Sequence, residues 1–186
     1  MREKFIFILT ILLLQSCGSG DKEQNVTIEN KYTLSIPAFL TKAYNLNDEA
    51  SLQYQHAWKE LYVIALDEPK DEMQKALFDN NLTDIYENDI DGYSKLIIDA
   101  FKGNLNNPIQ SEVIDTTING MLAKLTTLNG SVEGIDAFYS IGIYEGKERY
   151  YQVVLWTLSN KKYTYASKMN KILYSLKELK SIENAQ

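Results

Sequence analysis

The chain has 186 residues, 45% hydrophobic and 24% charged, with a formal net charge of -6. That length fits one domain, and the ordinary charged fraction speaks against both a disordered chain and a polytopic membrane protein. The acidic balance speaks against a nucleic-acid partner, which needs a basic face to displace counterions, while one cysteine and one histidine exclude an internal disulfide and a multi-histidine metal site.

Met1-Arg2-Glu3-Lys4 opens the chain, and the run from Phe5 to Leu14 is apolar except for Thr10. A helix crossing a bilayer core needs about 20 residues, so this run is too short for a mature span. It has the length and flanks of a secretory signal peptide. The only cysteine follows at once, and Leu14-Gln15-Ser16-Cys17 resembles the lipobox of bacterial lipoproteins. The resemblance implies a signal peptide over 1–16, cleavage between Ser16 and Cys17, a diacylglycerol on the Cys17 thiol and acylation of the new amino terminus, for example by palmitate. The membrane is then a partner through covalent lipid, and the address is the bacterial cell envelope. Gly18 after the cysteine, in place of Asp, implies passage to the outer membrane, and Asp21-Lys22-Glu23 is a candidate surface-display signal. The competing reading is an ordinary secreted protein with an accidental cysteine. Residues 17–25 hold nothing that buries apolar area and read as a flexible tether.

Residues 26–186 read as one domain without a linker or clear repeat. Tyr32, Leu34 and Ile36 alternate with polar residues until Pro37, and Ala50, Leu52 and Tyr54 alternate likewise. Leu61 to Leu66 is a continuous apolar strand. A helix is expected around Asp71–Phe78, and a second carries Ile90, Tyr93, Ile97, Ala100, Phe101 and Leu105, with Asp89 or Asp91 as N-cap and Gly103 as stop. A strand over Ile109–Ile118 meets Asn119-Gly120, a two-residue hairpin signal. Met121–Leu128 meets Asn129-Gly130, a second turn signal. Ile135–Tyr144 and Glu148–Leu158 form the next hairpin, and a terminal helix presents Tyr165, Met169, Ile172, Leu173, Leu176 and Leu179. Pro37, Pro69 and Pro108 are each placed at an element boundary. Strands joined by short turns are antiparallel. Val153-Val154-Leu155-Trp156 is apolar on both faces, so both faces need a cover.

The fold class is therefore α+β, an antiparallel β-sheet flanked by helices on both faces. The order of Tyr32–Pro37, Leu61–Glu68, a helix, Asn119-Gly120 and Tyr150–Thr157 before a terminal amphipathic helix resembles the PsbP/Mog1-like α/β/α sandwich, which includes DcrB-type bacterial lipoproteins. That resemblance implies a binding or assembly accessory with no shared catalytic constellation.

Several side chains carry competing readings. His56 is the only imidazole, but no Gly-x-Ser-x-Gly elbow or marked nucleophile accompanies it, and it reads as a strand-end surface residue. Between Asp67 and Asp91 lie nine acids against Lys70 and Lys75. Within this stretch Glu87, Asp89 and Asp91 mimic the opening of an EF-hand loop and are candidate cation ligands, although Ile98 stands where the bidentate Glu belongs. Helix capping is the other use of these carboxylates. Lys161, Lys162, Lys168, Lys171, Lys177 and Lys180 suit either anionic headgroups or an acidic partner, or form the polar side of a packed helix. Trp58, Tyr144 and Tyr150 are the candidate binding surface, because tyrosine and tryptophan offer contact area with a polar handle. Asp115-Thr116-Thr117 matches a bacterial O-glycosylation acceptor at Thr116. No cofactor is expected. The functional expectation is a membrane-anchored, non-catalytic envelope lipoprotein, an accessory or scaffold module for a protein assembly. The alternatives are a small-ligand or calcium-binding lipoprotein and a hydrolytic enzyme.

Overall fold

The structure, a computed structural model, describes residues 22–179. The signal peptide, Ser16, Cys17, most of the tether and the chain beyond residue 179, Lys180 included, lie outside the described residues. The elements are β1 (Glu23–Ile28), β2 (Tyr32–Pro37), β3 (Thr41–Lys42), β4 (Leu52–His56), β5 (Leu61–Pro69), α1 (Lys70–Asp79), α2 (Ile90–Gly103), β6 (Asn106–Gln110), β7 (Ile114–Ile118), β8 (Met121–Val132), β9 (Ile135–Glu145), β10 (Arg149–Leu158), α3 (Lys162–Leu173) and β11 (Lys177–Glu178). The main sheet runs β3-β4-β5-β10-β9-β8-β6, with β7 beside the other end of β8, and a smaller sheet runs β1-β2-β11. All pairings are antiparallel.

The central strand β10 explains the layering. Val153 and Leu155 point into a cluster closed by α3 and the small sheet, with Leu34, Ile36, Met169 and Ile172. Val154 and Tyr150 point the other way, into a cluster closed by α1 and α2 through Met73, Leu77, Tyr93 and Ile98. Each such fully buried aliphatic side chain contributes roughly 1.5–3 kcal/mol. Helices thus cover both faces of one antiparallel sheet, as the apolar run predicts. The small sheet shares one face with α3 and was not foreseen.

The boundaries correct the sequence reading in five places. β1 begins at Glu23, so the last three residues of the expected tether are a strand paired with β2. The Asn129-Gly130 turn does not form. Both residues pair with β9, and Gly130 serves the close approach of Leu105, between α2 and β6, since a Cβ there would lie 3.0 Å from the Leu105 Cβ. The turn falls at Glu133-Gly134, both at positive φ. The strand expected over Ile109–Ile118 is two strands, β6 and β7. Pro108 sits inside β6 at a register shift, where an edge strand tolerates its missing N–H. The terminal helix stops at Leu173, because the Asn119 side-chain amide in the β7–β8 turn donates to the Leu176 carbonyl at 2.7 Å and diverts the chain into β11.

Three polar arrangements lock the layers. The Asp67 carboxylate in β5, almost fully buried, accepts Lys31 at 2.9 Å from the small sheet and Arg149 at 2.8 Å from β10. Tyr144 lies over Gly142, where a Cβ would overlap its hydroxyl, and donates to the Leu173 carbonyl at 2.8 Å. Beneath α2, Gln152 donates to the Tyr93 hydroxyl at 2.6 Å and Tyr93 donates to Glu68 at 3.0 Å.

Two outcomes follow. Tyr144→Phe leaves a buried carbonyl unpaired and should lower unfolding free energy by about 1–3 kcal/mol. Gly142→Ala should cost more by displacing the whole ring, both read from denaturant midpoints. Glu68 is the second case. Burial holds its carboxyl above the ordinary 4.5, against the Tyr93 hydrogen bond, with help from Glu72 and Glu49. The folded chain keeps this proton to higher pH than the unfolded one, so its contribution is full below 4.5 and is lost as pH rises through the folded value. Thermal unfolding of Glu68→Gln beside the parent should therefore show an advantage for the variant that grows from acid to neutral pH.

Candidate functional site

On the α1/α2 face of the sheet, helix cover stops short and leaves a cleft of about 520 Å³. Its floor is built by register. Trp156 of β10 stands opposite Tyr62 of β5 on one side and Tyr139 of β9 on the other. All three point to the same face, so three adjacent strands present one aromatic row. Tyr62 and Trp156 stack with centroids 5.1 Å apart and planes 8° apart. Phe101, near the end of α2, tilts against Tyr139 at 6.2 Å and forms one wall. Leu46 and Asn47, before β4, form the opposite wall, and the exposed Ile135 at the start of β9 borders the mouth.

The charged residues among the described lining are two carboxylates, Glu60 and Glu133. Both stand at left-handed backbone, φ 55° and 52°. Glu60 ends the 3-10 turn Ala57–Lys59, its N–H donating to the Ala57 carbonyl at 3.1 Å. Glu133 opens the β8–β9 turn. Tyr62 donates its hydroxyl to Glu60 at 2.9 Å. Burial, with Glu60 beside it, pushes that hydroxyl up to about 12, so it remains a donor at neutral pH. The result is an apolar, aromatic floor under a negative rim. The polar groups of the lining include these two carboxylates with the hydroxyls of Tyr62, Tyr139 and Thr157 and the Asn47 amide, so the floor offers apolar contact and the rim hydrogen bonds.

The sequence candidates are scattered. Trp58 is 92% exposed in the turn before β5 and lies outside the cleft. Tyr144 and Tyr150 are buried and leave the expected binding surface. Tyr144 is consumed by its bond to α3, and Tyr150 stacks on Tyr93 at 4.4 Å. Two of the three expected cation ligands have other partners. Asp89 caps α2 by accepting from the Gly92 N–H at 2.9 Å, and Asp91 pairs with Lys124 at 2.5 Å. Among the described residues no group of three His, Cys, Asp or Glu side chains is placed to hold a metal ion. His56 ends β4, accepts the Lys59 N–H at 3.3 Å through Nδ1 and meets Phe39 edge-on at 5.6 Å. Thr116 sits half-buried within β7, and its neighbour Asp115 pairs with Lys124.

Sequence reasoning missed the aromatic row. Tyr62, Trp156 and Tyr139 lie far apart in the chain, and only strand pairing unites them. The available signal was the position of each aromatic within its strand, readable only once the register of three strands was known.

No protein-family model and no curated protein sequence matches the chain. Solved structures do match its fold. The solution structure of cyanobacterial PsbP (CyanoP) from Synechocystis sp. PCC 6803 is 10% identical and covers 89% of this chain and 98% of that one, with a TM-score of 0.54. LpqN, described as involved in cell envelope biogenesis of Mycobacterium tuberculosis, is 10% identical and covers 86% and 91%, with a TM-score of 0.50. A crystal structure from Bacteroides thetaiotaomicron is 8% identical and covers 84% of this chain and 49% of that one, at 0.50. At such identities the likeness shows the fold alone, and that fold is PsbP-like, an α+β sandwich on a mostly antiparallel sheet.

Proposed function

We propose that this chain is a lipid-anchored, non-catalytic module of the bacterial cell envelope that holds a protein partner in its aromatic cleft. The observation that carries the proposal is the row Tyr62–Trp156–Tyr139 under the Glu60 and Glu133 rim. Aromatic floors are where binding energy concentrates in protein interfaces, and an acidic rim selects an apolar segment flanked by lysine or arginine. The lipobox at Leu14–Cys17 supports the anchor, with Cys17 carrying the lipid, and Gly18 supports the outer membrane as its address. LpqN's description, involved in cell envelope biogenesis, is in keeping with an accessory role. A small apolar ligand is the second reading, favoured by the cleft's volume, which lies within the roughly 300–1,000 Å³ of small-molecule sites.

A photocrosslinking residue at Ile135, in the full chain within its native envelope, should give a discrete protein adduct. The same probe at Ile85, exposed and outside the cleft, should not. Glu133→Lys should reduce the Ile135 adduct several-fold. A lipid-sized adduct would turn the assignment to the small ligand, and equal capture from Ile85 would refute the cleft as the binding site.

A further inference from the structure

The two most exposed large hydrophobic side chains among the described residues are Trp58 and Tyr163, 92% and 94% exposed. Neither lies in the cleft. Trp58 sits in the 3-10 turn before β5, and Tyr163 in the first turn of α3. Lysines join these two elements. The Lys161 ammonium donates to the Lys59 carbonyl at 3.4 Å, and Lys59 and Lys168 approach the same Phe39 ring at 5.3 and 5.9 Å. The Lys22 carbonyl accepts from the Ala38 N–H at 2.8 Å, which places the amino-terminal end of the described chain beside Phe39. Lys22, Lys168 and Lys171 line one hollow of about 260 Å³ with Thr164 and Ser167. The acid lining it, Glu23, accepts from the Ser35 hydroxyl at 2.8 Å. An acidic chain therefore concentrates lysines, an exposed tryptophan and an exposed tyrosine at one end.

We propose that this end, formed by the Ala57–Lys59 turn and the outer side of α3, docks on anionic lipid headgroups. Tryptophan and tyrosine favour the membrane–water boundary, with the apolar ring inward and the polar atom wet. Lysine stems lie along apolar surface while their ammonium groups meet phosphates, and each lysine near an anionic surface strengthens binding by roughly fivefold. Chain length supplies the second argument, which rests on the anchor proposed above. Lys22 is five residues from Cys17, and an extended chain spans at most about 3.6 Å per residue. A lipid on Cys17 therefore holds the Lys22 end within roughly 18 Å of the bilayer. Residues 168 and 171, across the hollow from Lys22, are held there with it. This docking also sets the orientation of the domain relative to the membrane.

The test uses the full chain reconstituted into vesicles of brominated phosphatidylglycerol and phosphatidylcholine, or of brominated phosphatidylcholine alone. Trp58 fluorescence should be quenched in the anionic vesicles, far less in the neutral ones, and the quench should fall as salt screens the headgroups. Trp58→Phe should abolish it, leaving Trp156 as the unquenched reference, and Lys59→Gln with Lys171→Gln should reduce it several-fold. The mass of the Cys17 peptide is read from the same sample. Quenching with Cys17 unmodified upholds the docking and sinks the anchor. No quenching, whatever the state of Cys17, overturns the docking, and acylated Cys17 in that sample leaves the anchor standing. Equal quenching in neutral vesicles also overturns it, because charge would not be the attraction.

Discussion

Everything in this molecule follows from one strand that cannot face water on either side. β10 carries Val153, Val154 and Leu155 in succession, all buried. A strand alternates its side chains across the sheet, so three consecutive apolar residues demand cover on both faces. The chain answers with α3 and the small β1-β2-β11 sheet on one face and with α1 and α2 on the other. Lys31, in the β1–β2 turn, then ties the small sheet to Asp67 of the large one, a carboxylate that also pairs with Arg149 of β10, and Tyr144 ties β9 to the end of α3.

The two covers are unequal, and the inequality makes the cleft. α3 and the small sheet close their face along β10 from Tyr151 to Leu155. On the other face α2 ends at Gly103, and Phe101 reaches only as far as Tyr139. The last aromatic row of the sheet is left half-covered. Its borders end in turns rather than helices, and those turns place Glu60 and Glu133 at the mouth. A purely structural sheet end would be expected to carry polar residues there. This one carries two tyrosines and a tryptophan.

The fold was largely legible because its signals are local or periodic. The double-sided β10 run, the Asn119-Gly120 turn and the Asp89 cap of α2 each rest on residues adjacent in sequence. The errors share a different cause. Asn129-Gly130 looks like a turn until Leu105 is seen to need the space above Gly130. Tyr144 looks like a surface tyrosine until Gly142 is seen to give its ring a place to lie. The terminal stripe looks like one helix until the distant Asn119 redirects it. The site was less legible than the fold for the same reason. Its floor is a cross-strand property, and its rim depends on backbone conformations at Glu60 and Glu133 that their side chains do not announce.

The aromatic row is an open face of the free protein, and under the proposed function a partner covers it in the envelope. Hydroxyl-radical footprinting of Tyr62, Tyr139 and Trp156 addresses it directly, with Tyr32 and Tyr144 as buried references. The first three should label in the purified protein while the references do not, and their labelling should fall in intact envelopes. Cleft aromatics as protected as Tyr144 in the purified protein, or labelled equally in both settings, would contradict it.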